Sequence, residues 1–86
     1  MNTKRRKALV AIITRLEELD SMREEIRERL DEIMDEEQEA MDNMPESIQE
    51  SDRGQMMQEY IDTMQNVIGE LDLLDVESLI DQLREI

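Results

Sequence analysis

The 86-residue chain has no cysteine, no histidine, no tryptophan and no phenylalanine. Without cysteine there is no disulfide and no thiolate, either as nucleophile or as metal ligand. Without histidine the commonest general base and the commonest metal ligand are both missing. Glycines are confined to Gly54 and Gly69, so no glycine-rich loop can cradle a phosphate, and no serine sits in a nucleophile motif. Carboxylates are plentiful, but a di-iron bundle needs Glu-x-x-His, and no stretch carries the alternating Asp/Asn pattern of a calcium loop. The expectation is a protein that is not an enzyme and has no metal or cofactor.

Long apolar runs are also missing. Lys4-Arg5-Arg6-Lys7 followed by Ala8 to Thr14 has the outline of a signal peptide, but Arg15 ends the apolar run at once. Helical amphipathic spacing continues through it and no small-residue cleavage site follows. Nothing reaches the length of a membrane span. With the absence of cysteine, this leads us to expect a cytoplasmic protein that meets no membrane.

What is present is acid and helix-forming residues. The formal charge is −14, and residues 1–7 hold four of the ten bases, which leaves −18 on the remainder. Such a chain is repelled by a phosphate backbone, so its electrostatic partner is expected to be a basic protein surface. Direct contact with nucleic acid is conceivable only through Lys4–Lys7; the plainer role of that arm is a solvated tail that relieves acidic self-repulsion. Glu, Leu, Met, Gln and Arg dominate, and β-branched and aromatic residues are sparse, so the fold class is all-α.

A heptad starts at Leu9. One position is Leu9, Leu16, Arg23, Leu30, Glu37 and Met44, and the second is Ile12, Leu19, Ile26, Ile33 and Ala40, apolar every time. This spacing predicts a coiled-coil-like helix over 8–43, after a basic tail at 1–7. Ile13, Met34 and Met41 widen the stripe on one flank and Met22 on the other. Pro45 ends the helix, because it disfavours helical backbone at Met44. Residues 44–51 form the turn, and Ser51 or Asp52 can cap a second helix over 52–86. There the apolar side is Met57, Tyr60, Ile61, Met64, Val67, Ile68, Leu71 and Leu74. After Asp72 the stripe rotates to Leu73, Val76, Ile80 and Leu83. That shift predicts a helix kinked near 72–76, or one broken there with Asp75 capping a short final helix; a continuous helix is preferred.

Two helices of similar length joined by a short turn form an antiparallel hairpin. Folding about residues 47–48 sets Ile26 against Gly69 and brings Arg23 to Asp72 or Asp75. Val10, Ile13, Met34 and Met41, with the rotated stripe Leu73, Val76 and Ile80, are then left uncovered. Surface of that kind predicts self-association, most simply a homodimer forming a four-helix bundle.

The turn region carries a resemblance. Asp35-Glu36-Glu37-Gln38-Glu39-Ala40, Asp42-Asn43-Met44-Pro45-Glu46-Ser47 and Ser51-Asp52-Arg53-Gly54 together resemble a signature of short acidic helical-hairpin proteins encoded by bacteriophages and mobile elements. The resemblance extends weakly through Ile61-Asp62. It implies a helical hairpin working in a host cytoplasm, and it supplies no catalytic residues, since that family has no established activity.

Two functions fit. Glu28, Asp31, Glu32, Asp35, Glu39 and Asp42 share one side of the first helix, with neighbours about 5–6 Å apart, near the spacing of phosphates along a strand. The plain role of that face is solvation, but its lack of balancing bases favours a basic partner. On this reading the protein is an inhibitor that blocks a basic nucleic-acid-binding surface of a host or defence protein by charge mimicry. The alternative is a structural or assembly coiled-coil module that binds itself or a partner helix through its apolar stripe. The methionines near the turn serve either as core filling or as an adaptable binding surface.

Overall fold

In a computed structural model describing residues 1–86, the chain forms four helices and no strand. α1 spans Thr3–Asp42, forty residues. It begins earlier than the sequence pattern predicts, because Asn2 caps it: the Arg5 amide donates to Asn2 Oδ1 at 2.9 Å. The basic arm is therefore helical from Thr3 onward, not a frayed tail. At the other end the Asn43 and Met44 amides reach back to Glu39 and Met41, and Pro45, with φ −56° and ψ 145°, stops the helix.

The turn holds a short helix, α2, Glu46–Gln49, and α3 follows at Asp52–Leu73. Ser51 does not cap forward through its side chain; its hydroxyl donates back to the Ile48 carbonyl. α3 then stops. The preference for a continuous second helix is overturned: α4 is a separate helix, Val76–Arg84. Asp75 is its N-cap and accepts from the Ser78 amide at 3.0 Å. The local signal for a cap outweighs the propensity to continue, because it satisfies an amide that a new helix start would leave unpaired.

The helices pack as two units. In the first, Met1–Glu25 of the chain lies with Leu74–Ile86. Val76 and Ile80 of α4 are its buried residues, and Leu9, Ile13, Leu16 and Leu83 are half-buried. Arg84 pairs with Glu17 at 2.7 Å, and Arg6 donates to the Ile86 carbonyl at 3.3 Å, so α4 ends where α1 begins. Arg23, the polar break in the heptad, pairs with Asp20 at 2.9 Å and keeps only 18% of its side chain exposed.

The second unit, Ile26–Leu73, combines the rest of α1 with α2 and α3. Gly54, Ile61 and Ile68 of α3 are buried. Leu30, Met34 and Met41 of α1, Met44 of the turn, and Met57, Met64 and Leu71 of α3 are half-buried around them. Arg27 grips Asp72 with two bonds, Nε to Oδ1 at 2.5 Å and Nη2 to Oδ2 at 3.2 Å. The sequence register set Arg23, one turn earlier on α1, toward Asp72 or Asp75. Helical side chains lean toward their own N-terminus, so an arginine one turn further on reaches the same level.

The corner of this unit is built around Gln49. Its side-chain amide donates to the Met44 carbonyl at 2.9 Å, which has no backbone partner, and at 3.0 Å to the Met41 carbonyl, which also accepts from the Met44 amide. Gly54 packs directly on the Gln49 backbone: a Cβ there would lie 2.7 Å from Gln49 Cα and overlap its carbonyl oxygen. Gly69, expected opposite Ile26 as a point of close approach, is exposed with nothing within 4 Å of where its Cβ would be. Close packing falls at the other glycine.

In both units α1 therefore runs antiparallel to a later helix, and the fold is an all-α helical hairpin. Of the two heptad positions expected in the seam, one lies there and the other does not. The first, Leu9, Leu16, Arg23, Leu30, Glu37 and, just past the end of α1, Met44, is half-buried throughout, and Ile13, Asp20, Arg27, Met34 and Met41 are half-buried beside it, as are Asp31 and Gln38. Ile12, Leu19, Ile26, Ile33 and Ala40, the uniformly apolar heptad position, are all exposed. No residue of α1 is fully buried.

Candidate interaction surfaces

The apolar surface follows from that rotation of α1. The exposed isoleucines of α1 in the second unit immediately precede seam residues: Ile26 precedes Arg27, and Ile33 precedes Met34. α3 repeats the pattern in the same unit, with Tyr60 before the buried Ile61 and Val67 before the buried Ile68. One residue is about 100° of helical rotation. In an antiparallel pair the same rotation on each helix, taken in its own chain direction, leads to the same side of the pair. Ile26, Ile33, Tyr60 and Val67 thus share one face, with exposures of 53, 39, 52 and 40%. In the first unit Ile12 precedes Ile13, Leu19 precedes Asp20, and Leu79 precedes the buried Ile80, each about half exposed.

This placement revises the self-association residues read from the sequence. Val76 and Ile80 are buried within the first unit, and Ile13, Met34 and Met41 lie in the seams, so none of these five offers a free surface. Val10 and Leu73 are exposed, at 62 and 81%. The pattern of apolar residues identified three adjacent stripes on α1, and packing used the flanking one in place of the more regular one.

The acidic surface lies on the outer side of α1 in the second unit. Glu28, Glu32, Asp35, Glu39 and Asp42 are exposed, and Asp31 is half-buried. Their heptad positions point away from both the seam and the apolar face. Glu28, Asp31, Asp35 and Glu39 enter no ion pair. Glu32 is partly balanced by Arg29 at 2.9 Å, and Asp42 accepts from the Gln38 amide at 3.0 Å. Arg29 is thus a base beside a face that the sequence pattern presents as without balancing bases.

The basic arm contributes Lys4, Arg5, Arg6 and Lys7, all exposed, in the first turns of α1. No group of three or more Asp and Glu side chains is arranged to hold a metal ion. No helix is long and apolar enough to cross a membrane. Compared with protein-family models, with curated proteins and with solved structures, the chain matches none.

Proposed function

We propose that this protein is a helical binding module whose uncovered apolar face pairs with another helical surface. The observation that carries this reading is the choice of seam. α1 places Asp20, Arg23, Arg27 and Glu37 among its half-buried positions while Ile12, Leu19, Ile26 and Ile33 stay exposed. Burying an isoleucine or leucine side chain fully is worth about 1.5–3 kcal/mol, so a stripe of such residues left half exposed is a reserve of binding energy. Sedimentation of the intact protein at about 50 µM tests it, a concentration at which micromolar association is visible. The expected result is association that changes little with salt and is lost in the variant Ile26→Glu with Ile33→Glu, whose helix content is retained. Association that survives this double substitution would remove the reading.

A second reading rests on Glu28, Asp31, Asp35 and Glu39, carboxylates without ion-pair partners on the outward side of α1. By charge mimicry this face would occupy a basic groove, such as the nucleic-acid site of a host or defence protein. Capture of such a partner should then weaken steeply with salt. Reversing Asp31, Asp35 and Glu39 together to lysine should abolish capture with the fold intact. Retention by that triple variant, or indifference to salt, would exclude mimicry.

A further inference from the structure

The exposed face has an occupant that the charge distribution along α1 selects. We infer that a second copy of this chain covers it, and that the two copies pack antiparallel, each basic arm beside the acidic corner of the other. The inference rests on the binding-module reading and adds to it both the partner and the direction of docking.

The face suits a copy of itself. Ile26, Ile33, Val67 and the ring of Tyr60 lie exposed on one side of a helix pair, and two such faces meeting about a two-fold axis form a four-helix bundle. Carboxylates that would repel one another across such an interface are kept away from it. Glu28, Glu32, Asp35, Glu39 and Asp42 occupy the opposite side of α1 and stay in solvent in the dimer.

Direction is set by the ends of α1. Its first turns carry Lys4, Arg5, Arg6 and Lys7 with no acid among them. From Asp35 to Asp52 the chain holds eight acids and no base. A two-fold axis along the helices would bring both basic arms together at one end and both acidic corners together at the other. A two-fold axis across the helices sets each arm against the partner's corner and exchanges two repulsive ends for two attractive ones. The apolar patch alone does not distinguish the two directions; the polarity of charge does.

The chain has no cysteine, so single introduced thiols report the direction without interference. Thr3→Cys marks the arm and Ser47→Cys marks the corner; both side chains are exposed. The two variants, one carrying a size tag, are mixed in equal amounts and treated with a bis-maleimide. The expected products are arm-to-corner crosslinks, with arm-to-arm and corner-to-corner crosslinks lost. Reversing Lys4, Arg5, Arg6 and Lys7 to glutamate should weaken the dimer by roughly tenfold or more, since exposed charge pairs contribute a few tenths to 1 kcal/mol each. Dominant arm-to-arm and corner-to-corner products in a sample that sediments as a dimer would overturn the direction and leave the binding module standing. A protein that stays monomeric at about 100 µM, where even weak micromolar dimers are populated, would overturn the second copy itself. A monomer that also captures no helical partner would overturn the module as well.

Discussion

Replacing each glycine by alanine should move stability in opposite directions, and the corner decides which way. In a helix, alanine is favoured over glycine by about 1 kcal/mol. Gly69 lies inside α3 with open space around its missing Cβ, so Gly69→Ala should be stabilising by nearly that amount. Gly54 also lies in α3, but its added methyl meets Gln49 backbone atoms, 2.5 Å from the carbonyl carbon and 2.7 Å from Cα, and overlaps the carbonyl oxygen. Carbon contacts are comfortable near 3.5–4.0 Å, so α2 must move by on the order of an ångström. A backbone cannot rotate aside as a side chain does. Overpacking of this kind costs about 1–3 kcal/mol. Moving Gln49 also strains its side-chain bonds to the Met41 and Met44 carbonyls, worth about 1 kcal/mol each. Set against the helix-propensity gain, Gly54→Ala should cost about 2 kcal/mol, so the two variants should differ by about 3 kcal/mol. For a domain of this size 1 kcal/mol shifts Tm by roughly 4–8 °C. Thermal and urea unfolding followed by far-UV circular dichroism measures both, at one fixed protein concentration because association also shifts Tm. If Gly54→Ala raises Tm alongside Gly69→Ala, the close corner does not exist.

Other substitutions probe the remaining contacts. Asp75→Ala removes the cap on Ser78 and should cost about 1 kcal/mol, with Asp75→Asn nearly neutral, measured by urea unfolding. Gln49→Ala leaves the Met44 carbonyl unpaired and the Met41 carbonyl with the Met44 amide alone, and should cost about 1–2 kcal/mol; Gln49→Glu, which cannot donate to them, should be no better. A double-mutant cycle on Arg27 and Asp72 should return only about 0.5 kcal/mol despite the two-bond geometry, because both side chains keep a third or more of their exposure. Ile68→Ala should cost about 2–4 kcal/mol, the usual range for a buried isoleucine, whereas Ile33→Ala should cost under about 1 kcal/mol in the monomer and far more in the associated state.

Much of this fold is legible in the sequence, and the particular residues show why. Pro45 forbids continuation of α1, so the position of the corner needs no tertiary information. Asp75 three residues before Ser78 is a complete capping signal, and the shift of apolar phase after Asp72 marks the same break. Helix propensity alone favours continuity there, and the cap prevails because it satisfies an otherwise unpaired amide. Gly54 beside the turn was readable as a close approach, while Gly69 drew the same expectation from an assumed register alone. The helical start of the basic arm depends on Asn2, a capping residue three positions before Arg5, and not on the charges that follow it.

The carboxylates of the outward face were legible as a group, since the period of the helix alone sets which residues share a side. The apolar face was not. By itself the sequence determined that the chain is helical, where it reverses, that its charge is segregated, and that α1 carries several adjacent apolar stripes. Only the tertiary structure decided which stripes the hairpin covers. Helical periodicity fixes the angles between stripes but leaves free the rotation of the whole helix about its axis. That rotation is set by the side chains of α3 and α4 that it must fit, Ile61 and Ile68 in one unit and Val76 and Ile80 in the other. The outcome left Ile12, Leu19, Ile26 and Ile33 facing solvent.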